Sequence, residues 1–180
     1  MSMFNRLLMI VLFLLFLGIF AVSSTHAHLI EAQSGTLNIV DEGAFMVLPL
    51  PISSFHGLDQ NSDGRVTLRE FTAQRREIME RIRSQVSLRD AAGLCELQGI
   101  MLSPVASHDS MQDKLDQIIV MGRFALQAPD GPLHLIADIF GGAKGMQQMK
   151  IKVSRRKDSQ SDWIVLTTQN ASATLFAKRE

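Results

Sequence analysis

Met149-Lys150-Ile151-Lys152-Val153-Ser154 alternates apolar and polar side chains without interruption. Successive side chains of an extended chain point to opposite faces, so this stretch turns Met149, Ile151 and Val153 to a core and both lysines to solvent. That is a half-buried β-strand, and the pattern recurs on either side of it. Strands are expected over 36–40, 44–50, 94–102, 117–127, 133–140, 146–155, 163–168 and 174–177. Turn residues separate them: Asp41-Glu42-Gly43, Pro129-Asp130-Gly131-Pro132, Gly141-Gly142-Ala143-Lys144-Gly145 and the polar run 155–162. The first two strands read as a hairpin, with Pro49 and Pro51 ending the second or holding it at a sheet edge. Short strands spaced by about 8–12 residues predict a mainly β fold, a sandwich or a barrel, and of the two a mostly antiparallel β-sandwich is expected.

One segment breaks the two-residue period. Leu68, Phe71, Ile78, Ile82 and Val86 recur at three- and four-residue steps among charged side chains, which predicts an amphipathic helix over 68–87 inserted between early strands. Glu77 and Arg81 are spaced for an i,i+4 ion pair on its exposed face.

Just ahead of that helix stands Asp59-Gln60-Asn61-Ser62-Asp63-Gly64-Arg65-Val66-Thr67-Leu68-Arg69-Glu70. A calcium ion takes six to eight oxygens, and a twelve-residue loop supplies them from positions 1, 3, 5, 7, 9 and 12. Here those are Asp59, Asn61, Asp63, the Arg65 carbonyl, Thr67 directly or through water, and Glu70. Gly64 at position 6 permits the sharp turn around the ion, and Val66 fills the apolar position 8. Ile52, Phe55 and Leu58 precede the loop as an entering helical turn would, and Phe71 begins the apolar face beyond it.

The segment therefore resembles the EF-hand calcium-binding family, over residues 52–86. The resemblance implies a solitary EF-hand at about 52–87, with Ca2+ as the bound ion. It departs from the family in two ways. The prolines leave room for less than two turns of entering helix, and no second loop exists for Val66 to pair with. A homodimer joined through the loops, or a neighbouring β surface, is left to fill that place. Three carboxylates and a neutral Asn61 suit an extracellular-type affinity, on the order of 10⁻⁵–10⁻³ M.

The start of the chain differs from the rest. Leu7–Val22 is an unbroken apolar run preceded by Arg6 and followed by Ser23-Ser24-Thr25-His26-Ala27, a charged region, an apolar region and a small-residue exit. Residues 1–27 read as a signal peptide cleaved after Ala27, leaving 28–180 as a single domain that is periplasmic or secreted. Cys95 is the one cysteine, so no internal disulfide forms and a buried, unreactive thiol is expected. The run is shorter than the roughly 20 residues of a spanning helix, so an integral membrane protein is not expected after cleavage.

From residue 28 onward the chain holds 17 basic and 18 acidic side chains, a balance that suggests no nucleic-acid role. The sequences Gly-x-Ser-x-Gly, HExxH and CxxC are absent, so no enzyme is expected. The residues then point to calcium ion binding by an exported, non-enzymatic binding or accessory protein. Its calcium would be structural or would modulate a surface offered to another exported or membrane protein. A second reading takes the mature N-terminal His28, with His108 and His134, as copper ligands of a periplasmic copper-binding protein. His56, beside the loop, and the basic run Arg155-Arg156-Lys157 are expected to be solvated.

Overall fold

The computed structural model describes residues 33–107, 113–143 and 145–176. The leader over 1–27, its cleavage point, His28 and His108 lie outside these residues. Nine strands follow in chain order: β1 (Ser34–Val40), β2 (Gly43–Pro51), β3 (Val86–Asp90), β4 (Gly93–Ala106), β5 (Leu115–Ala125), β6 (Leu133–Ala137), β7 (Gln148–Arg155), β8 (Gln160–Thr167) and β9 (Ser172–Leu175). Two helices, α1 (Leu68–Ala73) and α2 (Arg75–Gln85), lie between β2 and β3.

The strands make one sheet in the order β8-β7-β1-β2-β5-β4-β3-β6-β9. A flat sheet of nine strands at about 4.8 Å spacing would hold its edges nearly 40 Å apart. Yet edge strands β8 and β9 are joined by residues 168–171, a link that reaches less than about 20 Å when extended. The sheet must curl, and it closes nearly on itself. The mainly β expectation holds, in a nearly closed sheet that does not show a sandwich. The bend is built into β4, which pairs with β3 through Gly93–Cys95 and with β5 from Glu96 onward. A bulge between Gln98 and Met101, with Gly99 at φ +59°, lets that strand turn.

Neighbours are antiparallel except β1 and β7, which run parallel. Met149, Ile151 and Val153, read as facing the core, are buried, and Leu37, Ile39, Met46, Leu48, Ile118, Val120 and Phe124 fill the interior with them.

Three sequence expectations need correction. Pro51 does end β2, but Pro49 lies inside it opposite Ile119, and β2 sits between β1 and β5 rather than at a sheet edge. The Pro49 carbonyl accepts from Gln33 N–H, so its missing N–H also faces the β1 side, where the β1–β2 ladder has already stopped at Thr36. The expected single helix over 68–87 is two helices parted at Gln74, and Val86 already belongs to β3. Leu68 is exposed rather than part of the apolar face, and the exposed pairs are Arg76 with Glu77 and Glu80, not Glu77 with Arg81. Arg155, finally, is buried: it donates to the carbonyls of Asp130 and Gly131 and lies 4.1 Å over the Phe176 ring.

Candidate metal-binding loop

β2 leads at Pro51 into a single 3-10 turn, Ile52–Ser54, rather than an entering α-helix. Phe55 and Leu58 are buried and anchor the approach to the loop. The loop closes on itself through its own side chains. Asp59 Oδ1 and Asn61 Oδ1 both accept from Asp63 N–H, at 3.2 and 3.0 Å. Asp59 Oδ2 accepts from Gly64 N–H at 2.8 Å, and Asp63 Oδ1 from Arg65 N–H at 2.9 Å. Asn61 donates to Asp63 Oδ2 at 3.1 Å. Gly64 holds φ +79°, a region that favours glycine, and a Cβ there would meet nothing within 4 Å, so its role is conformational.

Thr67 caps α1. Its hydroxyl accepts from Glu70 N–H while Glu70 Oε2 accepts from Thr67 N–H and from the Thr67 hydroxyl, both at 2.9 Å. This reciprocal box satisfies donors that a helix start otherwise leaves open. Glu70 Oε1 accepts from Gln60 N–H at 3.0 Å, tying the helix start back to the second loop residue. The Thr67 backbone bond, then the Thr67 hydroxyl, hold the Glu70 carboxyl below its usual range, against partial desolvation.

Two further contacts fix the frame. Gln74, at the break between the helices, donates to the Leu58 carbonyl at 2.9 Å and so closes the loop at its base. The Val66 carbonyl accepts from Leu115 N–H at 2.8 Å, and both residues are buried. The loop is thus bonded directly to the first residue of β5.

The expected ligand residues divide into two groups. Asp59 and Asn61 are brought together on the Asp63 and Gly64 N–H groups and Asp63 on the Arg65 N–H, while Glu70 is held by Thr67 and Gln60. Among the described residues, no three His, Cys, Asp or Glu side chains are gathered as a group able to hold a metal ion. The donor set is all oxygen, which suits a hard cation.

Elsewhere, His56 is exposed, and His134 on β6 has Nδ1 3.4 Å from the Thr174 hydroxyl. Cys95 is 6 % exposed, and burial, then the nearby Asp90 carboxylate, push its thiol up. The sequence reading missed Asp90. Its Oδ1 accepts from Ala92 and Gly93 N–H, and its Oδ2 from Gln127 and Ala128 N–H at 2.7 and 2.8 Å. Burial alone would raise this carboxyl; the four donors bring it net below its usual range. An aspartate just before a tight turn was the one signal available. Compared with models of protein families and with curated proteins, the chain matches none.

Proposed function

We propose that this chain is an exported calcium-binding protein in which residues 52–86 act as a solitary EF-hand and 59–70 hold one ion. Asp59, Asn61 and Asp63 would supply side-chain oxygens, Arg65 its carbonyl, and Thr67 and Glu70 the remainder. The observation that carries the reading is the coincidence of all six oxygen-donor positions with a loop whose first three donor side chains turn onto the same short stretch of backbone. The Val66–Leu115 bond supports it, because it steadies the loop from within one chain. Bound calcium supplies the positive charge that offsets the crowded carboxylates.

Calcium on this reading is a clip for the fold, or a modulator of a surface offered to an exported or membrane partner; the protein is an accessory or binding module rather than an enzyme. Thermal melts in calcium and in chelator test it. At a free concentration 100-fold above Kd an ion adds about 2.7 kcal/mol, which for a domain of this size raises Tm by about 5–10 °C. Coincident melts in the two conditions overturn the reading.

A further inference from the structure

We propose that the outer face of the β7–β8 hairpin docks onto an anionic lipid surface. The paired register sets Lys152 opposite Trp163 and Lys150 opposite Val165. Trp163 is 48 % and Val165 53 % exposed, a large apolar commitment for a face turned to solvent. Lys150 Nζ lies 4.5 Å from the centre of the Trp163 ring, so cation and aromatic form one unit.

Around that unit the outward positions of β7 and β8 are glutamine, serine and threonine, and those of neighbouring β1 are Ser34, Thr36 and Asn38. None of these outward positions holds a carboxylate, and Asp162 alternates onto the other face of its strand. At the hairpin tip, Arg156 is exposed and adds to the same sign. The chain is close to neutral overall, so this positive face is a local arrangement.

The chemistry matches a bilayer interface. Tryptophan seats its ring at headgroup level, lysine stems lie along apolar surface while their ammonium groups meet phosphate, and each lysine near an anionic surface contributes attraction. The face is the convex outside of a curled sheet, which suits a plane better than a peptide that needs a groove.

Trp163 is the only tryptophan and the chain has no tyrosine, so its emission reports this face alone. The test mixes the full chain with phosphatidylglycerol–phosphatidylcholine vesicles and with pure phosphatidylcholine vesicles, reading co-sedimentation and Trp163 emission. Lys150→Glu with Lys152→Glu is the matched variant, and any affinity of Leu7–Val22 for lipid is common to both proteins. The expected result is a blue shift on anionic vesicles only, weakened by added salt, with binding of the variant about 30-fold weaker. Lys150→Gln with Lys152→Gln is expected to keep the parental melting temperature and still lose most of the binding. Equal binding by parent and variants, binding without an emission shift, or a shift produced by soluble poly-glutamate in preference to vesicles would each overturn the proposal.

Discussion

Glu70 shows how one side chain serves both the fold and the proposed ion site. Its carboxylate closes the capping box and reaches Gln60. Glutamine at the same place has one acceptor oxygen where the carboxylate uses two, so Glu70→Gln should lower the melting temperature modestly in chelator and, besides, remove the calcium-dependent rise. Thr67→Ala, which deletes the cap itself, should cost about 0.5–2 kcal/mol in chelator and more in calcium, read by denaturant unfolding. Asp90 ties two loops together, one through each carboxylate oxygen. Asparagine keeps one of those acceptors and turns an NH2 to the other pair of donors, so Asp90→Asn should destabilise by about 1–3 kcal/mol at neutral pH. Glu70 and Asp90 are both held below their unfolded values. Their contribution is therefore complete above about pH 5 and lost as pH falls through the lower folded values. Melting temperature against pH should drop below about pH 5, and Asp90→Asn should flatten that drop.

At the scale of elements, period separates what the residues declare from what they hide. The loop's ligand spacing and the amphipathic run are both legible. The boundary at Val86 is not, because β3 follows α2 with no glycine or proline between and a buried valine fits either period. Leu68 also misleads: its spacing fits the apolar face, but as the first residue of α1 it lies on the solvent side, half exposed. Phe71→Ala should accordingly cost about 3–5 kcal/mol, whereas Leu68→Ala should stay within about 0.5 kcal/mol. Equal effects in chemical unfolding would contradict the placement of this helix. Val66 shows the same limit from another side. Its apolar character is visible in the sequence, but its carbonyl's partner, Leu115, lies 49 positions away and carries no mark of the pairing.

For the whole molecule, alternation located eight of the strands but not which strand pairs with which. The parallel β1–β7 pair is invisible because inward and outward residues alternate identically in parallel and antiparallel strands. Closure was equally hidden, since it follows from the order of strands and the short link between the two edges. Gly35 is where β1 packs closely on β2 and β7. A Cβ added there would come 2.6 Å from Leu48 Cδ2 and 2.9 Å from the Val47 carbonyl oxygen. Gly35→Ala should therefore lower stability by about 1–3 kcal/mol through overpacking, and an unchanged unfolding midpoint would argue against this β1–β2–β7 packing. The proposed calcium site joins this frame through Leu115 and the helices that lead into β3. Its most direct test is calorimetric titration of the protein with calcium, beside Glu70→Gln. The account predicts one site with Kd on the order of 10⁻⁵–10⁻³ M that the substitution abolishes; no binding heat in the parent, or equal binding by both, would contradict it.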